Sequence, residues 1–174
     1  MAKSHQLNLR LATNVHAVLN KISEEIDIAP TTLAAQILTD YVQFYYYKIH
    51  RGDVTISQHV LKQYLETINS SKIDEMATKV AHYILSEMKI QEGKLDYDIV
   101  SQRILKWNKG NHLILNKFSN KDSDVFIAKH ELGQHWSEIQ CSVYAKAFEN
   151  IGETVLDSEF DECSFSIEIA KHKT

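Results

Sequence analysis

Three polar side chains stand out by type and spacing: Gln6, Asn8 and Arg10 alternate with leucines in the run Gln6-Leu7-Asn8-Leu9-Arg10-Leu11. A side-chain amide sets a donor beside an acceptor and matches the major-groove edge of adenine. A guanidinium offers paired donors to guanine O6 and N7. In a strand, alternate residues share a face, so these three would point one way along about 13 Å of backbone. Leu7, Leu9 and Leu11 would then form a dry opposite face. The plain alternative is an edge strand whose polar face is merely solvated.

A second set with chemical capacity is His112, His130, His135, Cys141, Cys163 and His172. Their spacing suits a metal poorly. His135 and Cys141 are six residues apart on an expected helix, about 240° around its axis, so they cannot share a site in one chain. There is no H-x₃-H and no C-x₂-C. His130 at a strand end and His135 at the start of a helix are the one pair that could meet, and two ligands do not hold a metal. Cys163 lies beside Asp161 and Glu162, an acidic setting that should raise its pKa. His130-Glu131 begins, but does not complete, a zincin motif. Neither a phosphate-binding glycine loop nor G-x-S-x-G occurs. The carboxylates from Glu149 to Glu162 are scattered over helix and hairpin. No enzyme and no cofactor are expected.

Composition frames these residues. With 44% hydrophobic and 24% charged residues, one Pro and five Gly, the chain reads as globular and rich in regular elements. No apolar run approaches the ~20 residues of a membrane span, the opening lacks a secretory pattern, and two cysteines make no disulfide framework. A cytoplasmic protein, nucleoid-associated when on DNA, is expected. The net charge of −4 is uneven. Residues 1–50 hold four Lys/Arg against four Asp/Glu, residues 51–110 nine against eight, and residues 111–174 six against eleven. An acidic last third should turn away from phosphate, and a nearly neutral front predicts modest, salt-sensitive affinity for it.

The elements that must position these groups follow from pattern. After the strand, Thr13 sits where an N-cap belongs, and Val15, Leu19, Ile22 and Ile26 form one helical stripe. Asp27-Ile28-Ala29 connects to a second helix that opens on Pro30, where a missing N–H costs nothing, and runs to about His50 with Leu33, Ile37, Leu38 and Tyr41 inward. Three helices are expected at 57–69, 71–90 (Ile73, Ala77, Val80, Ile84 and Met88 inward) and 96–107. Strands are expected at 112–118 and 125–130 around the turn 119–124. A helix at 133–151 follows, with Trp136, Ile139, Val143, Ala147 and Ile151 on one face, then a hairpin of 154–160 and 164–170. The whole is α+β in three parts: 1–50, a helical linker or dimerisation segment over 51–110, and a small ββαββ-like domain over 111–174. Tyr45, Tyr46 and Tyr47 after Phe44 read as packing residues, since a helix sends them in different directions.

A lone six-residue strand with two short helices cannot close a core, and its ladder groups would go unpaired. Pairing with its copy in a second chain cures both defects, burying Leu7, Leu9 and Leu11 against Val15, Leu19, Ile37 and Leu38. Here the sequence resembles the ribbon–helix–helix (Arc/MetJ-like) family of DNA-binding proteins, over roughly residues 4–48. The resemblance implies an intertwined homodimer, base contacts from Gln6, Asn8 and Arg10, and phosphate contacts around Pro30, Thr31 and Thr32. It also implies double-stranded DNA as partner and a role as a transcriptional regulator or repressor. The chain departs from the family in carrying Asp27 where the inter-helix turn usually has Gly, and Ala29 where a small hydroxyl residue is usual.

Rival expectations come from the rest of the chain. One is an antitoxin-like interaction module, against which the patterned elements after residue 111 speak. Another is a repressor responding to a metal or a small effector in a pocket between the Trp136 helix and the sheet. Association of dimers into tetramers is compatible with either.

Overall fold

A computed structural model describes residues 7–51, 54–111 and 113–171. The chain divides into two compact units, Met1–Asp53 and Val54–Thr174. The architecture is α+β, mostly helical, with one four-stranded antiparallel sheet near the C-terminus. Among the described residues no helix is long and apolar enough to cross a membrane.

The first unit holds α1 (Thr13–Glu25), α2 (Pro30–Asp40), a π-helical turn (Tyr41–Tyr45) and α3 (Tyr46–Arg51). Thr13 is not the cap expected of it. Ala12 takes the extended N-cap conformation and carries no side-chain acceptor, while its carbonyl accepts from His16 N–H to close the first turn. Pro30 does occupy the first helical turn of α2. Ahead of α1, residues 7–12 form neither helix nor ladder within the chain.

The second unit begins with α4 (Gln58–Leu65), capped by Ser57, whose hydroxyl accepts from Val60 N–H. A 3₁₀ turn (Ser70–Lys72) leads into α5 (Ile73–Glu92), and α6 (Tyr97–Gly110) is capped by the Asp96 carboxylate. Gly93 ends α5 with φ 76°, the left-handed conformation that a C-terminal cap asks for. Strands β1 (Ile114–Ser119) and β2 (Ser123–Lys129), helix α7 (Gln134–Glu149), and strands β3 (Val155–Phe160) and β4 (Ser164–Ala170) complete it. The strand order is β1-β2-β4-β3, with every neighbouring pair antiparallel.

Helix α7 organises this unit by packing on α5 and on strands β3 and β4. Ala77 and Ala81 are fully buried on α5, and small side chains four apart let a neighbouring helix approach closely. The inward face of α5 is Ile73, Ala77, Ala81, Leu85 and Met88, so Val80 and Ile84, expected inward, are only half-buried. Residues 54–110 are therefore not a separate linker: their helices share one hydrophobic core with the sheet. The physical reason is α7, which is buried on more than the expected face, through Cys141, Tyr144 and Phe148 as well as Ile139, Val143 and Ala147. A helix with two apolar faces needs a layer on each.

Candidate nucleic-acid interface

Asn8 and Arg10 are exposed on the segment ahead of α1, and Gln6 lies outside the described residues. Leu7, Leu9 and Leu11 between them are 68%, 51% and 43% exposed. Val15, Ile22 and Ile26 of the first helical stripe and Ile37, Leu38 and Tyr41 of the second are exposed too. Among the described residues of this unit, Leu33 is the sole buried apolar side chain, with Ser23 the buried polar one. Among the described residues most of both amphipathic stripes thus faces water, Leu19 being half-buried and Leu33 buried.

The connection between α1 and α2 is built by hydrogen bonds that name its type. Ile28 N–H donates to Ser23 O at 3.0 Å and Asp27 N–H to Glu24 O at 3.4 Å. These are the two bonds of a Schellman motif, which needs its middle residue in the left-handed region. Asp27 is that residue, with φ 54°, the one positive φ outside glycine among the described residues. Asp is among the few L-residues that reach this region at low cost. Asp at a position where glycine is the freest choice is therefore conservative in backbone terms.

Helix α2 follows with Thr31 and Thr32 exposed in its first turn, Pro30 half-buried, and no side chain capping it. Uncapped N–H groups and the helix dipole favour an anion there. A concavity of about 510 Å³ runs beside this turn, lined by Asn20, Ser23, Glu24, Asp27, Ile28, Ala29 and Pro30. Glu24 and Asp27 place negative charge in it, which opposes an anion. Sequence reasoning did not single out Glu24; its position one turn before the cap was the available signal.

The two histidines weighed as metal ligands do come to one cleft in the second unit. It encloses about 440 Å³ and is also lined by Lys62, Glu131, Gln134 and Cys163. His130 Nδ1 accepts from Leu132 N–H at 3.1 Å, leaving Nε2 to donate to Ser137 Oγ at 2.8 Å. His135 Nδ1 meets Leu65 O at 3.0 Å and its Nε2 meets Ser70 Oγ at 3.4 Å. All four ring nitrogens are engaged by protein groups, and among the described residues no three metal-ligating side chains converge. Burial lowers the pKa of His130, against the opposing pull of Asp161. Cys163 is exposed, and its pKa is raised by its hydrogen bond with Asp161. Cys141 is buried, which pushes its thiol up to about 11. His112 and His172 lie outside the described residues.

One polar cluster was not anticipated. Asp124, read from sequence as part of a turn, is an interior residue of β2 with its side chain 3% exposed. Lys117 Nζ lies 2.7 Å from one carboxylate oxygen, Lys171 Nζ 3.2 Å from the other, and the Tyr97 hydroxyl donates to the carboxylate. Burial would raise the pKa of Asp124, but the lysines, Ser119 and Tyr97 outweigh it and hold the carboxyl well below its ordinary range. The same burial, together with the Asp124 charge, pushes the Tyr97 phenol up. A lysine ammonium faces each carboxylate oxygen, and the cluster reads as structural.

Comparison with known proteins adds no relative: no family model, curated protein or solved structure matches the chain.

Proposed function

We propose that this chain is a dimeric, sequence-specific DNA-binding regulator of the ribbon–helix–helix class. The observation that carries the reading is the exposure of Leu7, Leu9 and Leu11 on an unpaired segment, ahead of two helices that together bury one apolar side chain. At roughly 25 cal/mol per Å² of apolar surface, such stripes are strongly driven to find cover. A second copy supplies it in matched form, because each chain brings the same strand and the same two stripes. Antiparallel pairing of the two segments turns the leucines inward and leaves Gln6, Asn8 and Arg10 of both chains on the outer face of a ribbon sized for the major groove. Thr31 and Thr32 at the start of α2 then flank the ribbon as phosphate contacts. The second unit, folded on its own core, is the part free to assemble subunits or to respond to a small effector. An antitoxin whose tail folds on its target is less well supported, since that region here is already ordered around α7.

The test is selection of DNA fragments by the full-length protein at two salt concentrations, followed by binding of the selected site to Arg10→Ala. The variant is expected to remain dimeric, to lose ~1–3 kcal/mol of specific binding, and to tolerate other bases at one position. Binding of the selected site at wild-type strength would refute the ribbon as reader.

A further inference from the structure

The sheet of the second unit has two edges, and they are built differently. Strand β3 is interrupted by a register shift between Val155 and Asp157, and carries Asp157 and Glu159 on the face away from α7, opposite Glu168 and Ser166 of β4. A bulge and a row of like charges are the ordinary defences of an edge against pairing. Strand β1 has neither. Its register with β2 is unbroken over all six residues, from Ile114 against Lys129 to Ser119 against Asp124. No carboxylate lies between Ile114 and Ser119, and its one charge, Lys117, turns inward to Asp124 at 2.7 Å. The outward side chains read Ile114, Asn116 and Phe118, with the two apolar ones 60% and 56% exposed. Beside them on β2, Val125 and Ile127 are half-buried on the same face.

We infer that β1 pairs antiparallel with β1 of a second copy about a two-fold axis through Asn116. The pattern of the strand selects that occupant. A two-fold normal to the sheet keeps the outer faces on one side only if residues of equal parity are opposed. Centring on Asn116 sets Ile114 of each copy opposite Phe118 of the other, with the two asparagine amides facing across the axis. Apolar meets apolar and no like charges are opposed, which is the favourable arrangement for cross-strand pairs. Self-pairing at β3 centred on Ser158 would instead set Asp157 of each copy against Glu159 of the other, opposing like charges. The two four-stranded sheets would join into one of eight strands.

The ladder is only ~20 Å long, and such an edge falls short of the ~800 Å² per partner of a free-standing complex. It suffices when the copies are already joined elsewhere, because linkage raises the effective concentration to about the millimolar range. In that respect the inference rests on the N-terminal dimer proposed above.

The experiment uses the full chain with Cys163→Ser, so that buried Cys141 is the remaining native thiol, and adds either Asn116→Cys or Lys129→Cys. Opposed Cβ atoms across a ladder are ~4.5–5.5 Å apart, close to disulfide reach, whereas Lys129 lies one strand inward. Mild oxidation should convert Asn116→Cys to a reducible covalent dimer at least fivefold faster than Lys129→Cys. Adding Phe118→Lys should abolish that advantage, with the circular dichroism spectrum unchanged. Equal cross-linking at the two positions, or an Asn116→Cys rate indifferent to Phe118→Lys, overturns the edge pairing and leaves the DNA reading standing. If Leu9→Asp breaks the N-terminal dimer, the preference for position 116 should persist at millimolar protein, and its loss there also overturns the pairing. Failure of the DNA reading is detected separately, by Arg10→Ala.

Discussion

Lys117 and Asp124 form a 2.7 Å ion pair on the inner face of the sheet, and the same ammonium lies over the Tyr97 ring, 4.8 Å from its centroid. Charge removal at the two ends of this pair should have unequal consequences. Asp124→Ala leaves Lys117 and Lys171 without their shared anion; both are about a quarter to a third exposed and can recover water. The cost is therefore expected at the lower end for a broken buried pair, about 3 kcal/mol. Lys117→Met removes the ammonium but leaves Lys171 and Tyr97 on the carboxylate, so it should cost less than half as much. Urea midpoints of the two variants check the order, and a costlier Lys117→Met would show that the cluster is not centred on Asp124.

Asp27 offers a test of backbone strain. Its φ of 54° is tolerated by Asp but is free of penalty only for Gly. Asp27→Gly should stabilise the N-terminal unit by about 0.5–1 kcal/mol, because relief of left-handed strain exceeds the added entropy of the unfolded chain. Asp27→Val, β-branched at the same position, should destabilise it by more than that. Thermal melts of the two variants at one protein concentration would decide, and a stabilising Val would contradict the turn geometry.

Much of this fold is legible in the sequence where one residue type does one local job. Ser57 and Asp96 cap, Pro30 opens α2, Gly93 and Gly152 stand at positive φ just beyond α5 and α7, and the alternation of Phe165, Ile167 and Ile169 gives β4. What stayed hidden depends on neighbours that are far away in the chain. Asp124 looks like a turn residue until Lys117 and Lys171 are seen around it. Ala81 carries no hydrophobic signal strong enough to displace Val80 from the expected face. Gln140 and Tyr144 mask the second buried side of α7. At the N-terminus the case is reversed: the alternation of Leu7, Leu9 and Leu11 is plain in the sequence, whereas among the described residues all three stay exposed.

The His130 environment predicts a pH dependence with a definite sign. Burial lowers its pKa below 6.5, so the unfolded chain binds a proton more readily than the folded one. Stability should then be constant above the ordinary imidazole range, fall as pH drops through about 6.5, and level off below the folded pKa. Protonation would also force Nδ1, which accepts from Leu132 N–H, to become a donor. His130→Gln should flatten the difference in urea midpoint between pH 7.5 and pH 5.5 while costing some stability at both. A wild-type midpoint that rises on acidification over this range would show that the imidazole is charged in the fold.

Glu24 sets the last prediction, which concerns DNA. It lines the concavity beside the start of α2, close to where a phosphate would dock on Thr31 and Thr32. Two unit charges about 10 Å apart in water interact by about 0.4 kcal/mol, a factor of about two in affinity. Glu24→Gln should therefore tighten binding to any duplex about twofold at low salt, leave base preference unchanged, and lose its advantage as salt screens the repulsion. Asp27→Gly removes a second negative charge from the same concavity and should add a similar factor. Titrations against the selected site and an unrelated duplex, each at low and high salt, separate this from base reading, because Arg10→Ala should weaken the selected site far more than the unrelated one. An unchanged affinity for both duplexes in Glu24→Gln would place the phosphates away from α2, and the ribbon would have to be held on DNA by other groups.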